Sequence, residues 1–265
     1  MTYLLLIASI LAIQADGKAE PTYQRPTGPA IDVLTLLEGA SPTSSLEELR
    51  DAAAKGADLL IPQSPAATTL SGLAKSELGT DELRRSLIAV REDLAFEPLC
   101  EADLPAGFPT YTPPGVLEIK TYPKNRRAVA NEFFPLFAHI TRNKIAMTAP
   151  VRMEFKRDES GKLRQESMAF FYGDSQLGSV GADSEDENVS TIGDDGDTVI
   201  ALGRRGRWNR ETIVAGESIL REWLKAHPEY KASGDVRLMG YNSPMTPTSR
   251  QFFEIQLPIE QVKRE

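Results

Sequence analysis

Apolar residues recur along this chain with two different periods. Between residues 33 and 96 the spacing is helical. Ser44 and Ser45 each stand three residues ahead of a glutamate (Glu47, Glu48), two overlapping capping boxes that predict a helix start. Leu46, Leu49 and Ala53 follow on one face. Further on, Leu83, Leu87, Val90 and Leu94 step by four, three and four, an amphipathic stripe with Thr80 as its predicted cap. The stretch between them, around Pro62 to Ser71, reads as a loop. Pro98, Pro105, Pro109, Pro113 and Pro114, with Gly107, then mark an extended boundary, of which 97–110 is the predicted linker.

From 111 to 260 the period alternates between two and 3.6. Residues 116–121 and 126–131 read as strands, and Phe133, Leu136, Phe137 and Ile140 share a helical stripe that predicts a helix over 135–142. Strands are expected at 145–156 and 164–172, joined by a turn at Asp158-Glu159-Ser160-Gly161. Within the first of them Val151, Met153 and Phe155 alternate with Arg152, Glu154 and Lys156, as in a half-buried strand. A strand at 198–203 precedes a helix over 210–226 that buries Ile213, Gly216, Ile219/Leu220 and Trp223. Strands at 234–241 and 250–257 follow, the last alternating Phe253, Ile255 and Leu257 with Phe252, Glu254 and Gln256. The order strand, helix, strand, strand thus occurs twice. The expectation is an α+β domain built on a duplicated unit and preceded by a helical region.

The first residues carry an address. Leu4 to Ile13 is an almost wholly apolar run of ten, short for a bilayer span and suited to a signal-peptide core. Ala15/Gly17 or Gly17/Ala19 would supply the small residues of a cleavage site, although Met1-Thr2-Tyr3 brings no Lys or Arg. The expected organisation is a signal peptide over 1–19, a linker over 20–32 and export to the periplasm or the extracellular space, with no membrane segment after cleavage. No cysteine closes the apolar run, so no lipid anchor is expected. Cys100 is the only cysteine, which leaves no internal disulfide; it reads as a half-buried thiol. A net charge of −8 argues against a general nucleic-acid binder.

Two stretches carry a more specific signal. Lys144-Ile145-Ala146-Met147-Thr148-Ala149-Pro150-Val151 lies where the helical pattern gives way to a strand, and Pro150 biases Ala149 toward an extended backbone. About a hundred residues later come Gly240-Tyr241-Asn242-Ser243-Pro244-Met245-Thr246-Pro247, then Arg250 and Glu254. The first closely resembles the K-I-x-M-T-x-P-V signature of the SOUL haem-binding family, and the second is similar to its closing Y-N-x-P-x-x-P…R…E pattern. The resemblance implies that the duplicated unit forms a curved or barrel-like antiparallel sheet flanked by two helices. It also implies a haem or other tetrapyrrole as ligand, held in an apolar cleft beside the first helix of the domain. Gly173 to Asn188 departs from the family in lacking proline, so that rim of the cleft is expected to differ in shape.

For such a ligand, Phe134, Phe137, Met147, Met153 and Met245 would supply apolar contacts, with Arg142 and Lys144 meeting propionates. His139, one of only two histidines, would be an axial iron ligand or else a boundary histidine with one wet face. His227 reads as a helix C-cap. Asp183 to Glu187 and Asp194-Asp195-Gly196-Asp197 form an acidic loop pair that lacks the complete EF-hand pattern and reads as solvated. Arg204-Arg205-Gly206-Arg207-Trp208 is either an anion-binding run or a solvated turn. The sequence contains no G-x-S-x-G, H-E-x-x-H, P-loop or dinucleotide fingerprint. The expectation is a noncatalytic tetrapyrrole binder for sequestration or transport. The alternatives are a binding module for another hydrophobic small molecule and a hydrolase using a cavity carboxylate such as Glu254. Glu254 and Arg250 are otherwise expected to form a structural ion pair; the protein partner is left open, the N-terminal helices mediating protein contacts in the binding-module alternative.

Overall fold

The structure is a computed structural model, and it describes residues 22–26, 28–39 and 42–262. The predicted signal peptide lies outside these. Among the described residues four helices come first: α1 (Pro29–Glu38), α2 (Leu46–Leu59), α3 (Pro65–Ala74) and α4 (Thr80–Leu94). Ser45 caps α2 in a reciprocal capping box with Glu48, one of the two overlapping boxes read from sequence. The cap of α4 is Gly79, and Thr80 is its first helical residue rather than its cap. The expected loop around Pro62 to Ser71 is largely α3. Pro65 opens it where a missing N–H costs nothing, and Ala66, Ala67 and Leu70 bury a face too short and small for periodicity to register. Val33, Leu49, Ala53, Leu70, Leu83 and Leu87 close a shared core.

A single ten-stranded antiparallel sheet follows. Its main strands are β1 (Leu117–Thr121), β2 (Asn125–Ala130), β3 (Val151–Arg157), β4 (Leu163–Phe171), β7 (Thr198–Arg205), β9 (Arg237–Gly240) and β10 (Phe252–Gln261). The short strands β5 (Gly181–Ala182), β6 (Ser190–Asp194) and β8 (Tyr230–Ala232) escaped the sequence pattern. The residues expected to start the β3 strand early, 145–150, are an irregular loop, and the Ala149–Pro150 peptide is cis. Helix α5 (Phe133–Arg142) follows β2, and α6 (Arg210–Ala226) follows β7.

The duplication is written in the strand order β1-β7-β10-β9-β3-β4-β2-β6-β5. In one half β10 pairs with β7 and β9; in the other β4 pairs with β2 and β3. The halves meet where β3 pairs with β9. Each helix packs on its own half, α5 on β2 and β4, α6 on β10 and β7. The sheet does not close into a barrel: β1 and β5 end it, unpaired with each other. The free side of β1 meets the helical region, where Ser64 Oγ accepts the Leu117 N–H at 3.1 Å and Gly115 O accepts the Ala66 N–H at 2.9 Å. A covered edge has no need to find a partner strand.

Phe252 to Ile259 of β10 are buried throughout, the Phe252, Glu254 and Gln256 face as well as the Phe253, Ile255 and Leu257 face. On one face Phe253, Ile255 and Leu257 pack beneath Ile213, Leu220 and Trp223 of α6. The other face is covered by the Pro-rich stretch, which lies against the sheet as a strap. Phe108 stands edge-on to Tyr122 (5.0 Å) and Phe171 (4.9 Å), and Tyr111 edge-on to Phe252 (5.5 Å). The expected 20–32 linker is docked too: Thr110 Oγ1 donates to Gln24 O, and α1 already begins at Pro29. Cys100, half-buried in the strap, donates to Ala102 O.

The strap passes so close to β7 that a Cβ on Gly203 would fall 2.1 Å from Thr112 O and 2.4 Å from Pro113 O. Those are backbone atoms and cannot rotate away. Gly203→Ala is expected to lower stability by about 2–3 kcal/mol, as overpacking of a filled interior does. Urea unfolding measures it, and an unchanged midpoint would show that the strap is not held against β7.

Candidate functional site

Helix α5 is the element that the sequence singled out. Pro135 lies in its first turn, where the absent N–H breaks no intrahelical bond. Its end is a Schellman motif: Lys144 takes a left-handed conformation (φ 55°), Ile145 N donates to Ile140 O at 2.8 Å and Lys144 N to Thr141 O at 3.2 Å. That reversal turns the chain into the Met147-Thr148-Ala149-Pro150 loop. Thr148 Oγ1 then donates to Phe171 O at 2.7 Å, and Ala149 N to Asp103 O of the strap at 3.0 Å.

Over β2 and β4, α5 leaves an incompletely covered apolar surface. Leu136, Ile140, Phe170 and Tyr172 are buried, while Phe133, Phe137, Met147, Val151 and Met168 are only partly so. Phe133 and Phe137 stack at 5.9 Å with ring planes 10° apart, and Phe134, 59% exposed, stands edge-on to Phe133 at 5.8 Å. Phe137 and Met147 pack on this surface, and Phe134 lies beside it against Phe133. Met153 does not: it is buried beneath the other half, among the core residues under α6, with its methyl against Gly240. Met245 is exposed on the loop that follows β9.

His139 does not fit the role of axial ligand. Its Nδ1 is bonded to Asp183, and its Nε2 lies 2.6 Å from the Tyr172 hydroxyl, itself 3.0 Å from Thr191 Oγ1. An ionised carboxylate only accepts, so Nδ1 carries the hydrogen and Nε2 faces the phenol. Neither nitrogen is left for a metal, and the ring is buried rather than half wet. Arg142, expected to meet a propionate, is bound to Asp183 (3.0 Å) and Glu185 (3.4 Å). Lys144 remains exposed at the helix end. His227 caps α6 as expected, with Nδ1 2.7 Å from Trp223 O and its ring stacked on Trp223.

The acidic loops are not simply solvated. Asp183, buried at its side chain, joins the 181–189 loop to α5 and also accepts the backbone N–H groups of Glu185 (2.8 Å) and Asp186 (3.1 Å). Asp194 pairs with Arg127 at 2.9 Å, and Asp197 grips Arg237 with both oxygens. Among the described residues no group of three or more His, Cys, Asp or Glu is arranged to hold a metal ion.

The second motif is occupied by structure. Asn242 Nδ2 donates to Leu99 O at 2.7 Å, and Glu101 accepts Ser243 N (2.5 Å), Ser243 Oγ (3.1 Å) and Thr246 Oγ1 (3.0 Å). The strap thus binds both motif loops. Glu254 pairs not with Arg250, which is exposed, but with Lys120 at 2.7 Å. It also accepts Thr112 N (2.7 Å), Tyr241 OH (3.2 Å) and Gln256 Nε2 (2.6 Å), and is fully buried. Burial disfavours the ammonium of Lys120, but the Glu254 carboxylate outweighs it and raises the Lys120 pKa. A carboxylate so enclosed and so saturated is out of reach of a substrate.

The profile of the SOUL heme-binding protein family matches residues 107–258, more than half of the chain, and the chain belongs to that family. The matched span holds both motifs and α5, whereas the helical region and the first part of the strap lie outside it. No curated protein matches the chain. Among solved structures, the EcmrR C-terminal domain is 12% identical with a TM-score of 0.42, over 55% of this chain and 98% of that one. A hydrolase from Listeria innocua is 12% identical with a TM-score of 0.41, over 57% and 94%. SAV2435 bound to tetraphenylphosphonium is 8% identical with a TM-score of 0.33, over 54% and 93%. Likenesses this loose speak to neither ligand nor reaction.

The latch on α5 has a pH signature. Burial works against ionisation of Asp183, but the His139 hydrogen bond, the Glu185 N–H and the Arg142 charge prevail and hold its pKa at about 2, below the usual 3.8. A depressed carboxylate stabilises the fold above its unfolded pKa and loses that contribution as pH falls through the folded value. Asp183→Asn is therefore expected to be less stable than wild type above about pH 4, with the gap closing toward about pH 2. Urea midpoints measured from pH 2 to 6 test this; a gap independent of pH would refute it.

Proposed function

We propose that this protein is a noncatalytic binder of haem or a related tetrapyrrole, exported for sequestration or transport. The macrocycle lies against the apolar surface of α5 and the Met147 loop. The observation that carries the reading is the stacked Phe133–Phe137 pair with Phe134 exposed beside it, next to Met147 and Val151, in a chain of the SOUL family. Planar aromatic and thioether side chains suit the face of a porphyrin, and burying it there would remove Phe134 from water. Lys144 is the cation placed at the end of the same helix to meet a propionate. With both nitrogens of His139 engaged, binding rests on the macrocycle and its acid groups rather than on histidine ligation of iron. When bound, a haem would supply redox-active iron; the residues on this surface hold and orient it.

Haemin titration of the purified protein tests the reading. A saturable Soret change is expected, weakened about tenfold or more by Phe137→Asp, which places a charge on the apolar surface. His139→Ala is expected to leave the Soret maximum at saturation unchanged while lowering stability. No saturable change in the wild type would overturn tetrapyrrole binding, and a shifted maximum in His139→Ala would restore that residue as a ligand.

Export is tested separately. Expression of the full chain in a secreting host is expected to yield mature protein beginning at Lys18 or Glu20, read by intact mass. Retention of Met1 in the cell would refute it.

A further inference from the structure

The run Arg204–Trp208 is not used by the surface beside α5. It leads into α6, and there the structure holds a separate cavity of about 230 Å³. Its floor is Phe155, Leu163 and Ile213, all buried, and one wall is Trp208, edge-on to Phe155 at 6.3 Å. The polar liners are Arg164, Arg210 and the neutral Gln165. No carboxylate lines it, in a protein of net charge −8. Arg164 is paired with Asp158. Arg210 is held by one bond, Nε to Leu163 O at 3.2 Å, and among the described residues its two amino groups have no carboxylate partner. It is also the first residue of α6, the end of a helix that favours negative charge. A neighbouring cavity of about 220 Å³ shares Phe155 and Leu163, but its cations are already paired, Arg157 and Arg221 with Glu217 and Lys156 with Glu166, and Asp235 also lines it, so an anion would favour the first.

We infer that this groove, between the β3–β4 hairpin and the start of α6, is a second binding site, for a planar aromatic carboxylate of one or two rings. The volume sets the size: roughly 150 Å³ suffices for benzene, and drug-sized ligands need about 300 Å³ or more. The wall sets the shape, because Trp208 is 37% exposed and would bury its indole against a flat ring. The guanidinium sets the charge, since a planar fork with free amino groups matches a carboxylate. None of these residues belongs to the apolar cluster of α5.

Calorimetry on the mature chain with 2-naphthoate as the probe tests the inference. Saturable one-to-one binding is expected, with the uncharged 2-naphthamide at least about tenfold weaker. Arg210→Gln should cost the acid about tenfold or more and the amide little. Because that change removes the bond to Leu163, its fold is checked by circular dichroism, and Trp208→Ala gives a second route to lost affinity. The chain has two tryptophans, and Trp223 is buried. In NMR spectra the Trp208 indole N–H should therefore shift on titration while that of Trp223 stays. No saturable heat, equal affinity for acid and amide, or loss of naphthoate binding in Phe137→Asp would each overturn the proposal. Failure would leave the tetrapyrrole reading standing, since haemin titration of Arg210→Gln is expected to match wild type.

Discussion

A carboxylate with no exposure must be satisfied from within, and Glu254 is satisfied from four directions. Lys120 on β1, Tyr241 at the end of β9, Gln256 on its own strand and the backbone N–H of Thr112 all donate to it. Removing one partner from such a group leaves charge stranded in a medium that cannot solvate it, typically at a cost of about 3–5 kcal/mol for a broken buried pair. The strap is therefore part of the sheet's electrostatics and not a cover laid over a finished domain. Gly203 is its steric counterpart, because only a residue without a Cβ lets the strap come close enough for Thr112 to reach Glu254. Leu99, Glu101 and Asp103 then tie the same segment to both motif loops.

The duplicated architecture sharpens the contrast between its halves. Each half joins one helix to a three-stranded unit, so the two helix–sheet interfaces start equivalent. Along α6 the interface is closed: Ile213, Leu220 and Trp223 are all but inaccessible and meet Ile255 and Leu257, with Gly216 letting Ile255 approach the helix closely, and only at the start of the helix does the Trp208 groove reach it. Under α5 the corresponding aromatics are left half open, and Phe134 faces outward. The closed stretch of interface stabilises the fold. An aromatic surface kept partly in water forgoes burial that folding alone would favour, and such a patch commonly marks a place of binding.

What could be read from the sequence was local. Period two and period 3.6 located the main strands and both domain helices within a few residues, because those patterns are set by neighbours on one face. α3 was missed since alanines and threonines give a weak contrast between faces. The strap was misread for a different reason. Its prolines signal an extended chain correctly, but whether an extended chain lies on a sheet is decided by Phe108, Tyr111 and Thr112 finding partners that lie far along the sequence. Asp183, Glu101 and Lys120 share that blindness, for nothing near them in sequence announces His139, Thr246 or Glu254. The one available hint was the even burial demanded by Phe252 and Phe253 side by side, which a half-wet strand would not favour.

The same reasoning separates what a motif identifies from what it does. Thr148, Tyr241, Asn242 and Glu254 are fixed residues of the two signatures, and each of them, like Ala149, Ser243 and Thr246 at the variable positions between, is engaged in a bond that holds a loop, the strap or the sheet in place. His139 belongs with them, since it fastens α5 to the 181–189 loop. In the proposed reading, recognition of a ligand falls instead to side chains with no such bond: Phe134 and Phe137 on α5, and Lys144 and Met147 of the first signature. Their positions are fixed by the bonded residues, through the Schellman turn and the strap-held loop that follows it. The signatures thus build the surface, and in that reading the side chains they leave unbonded decide what the surface binds.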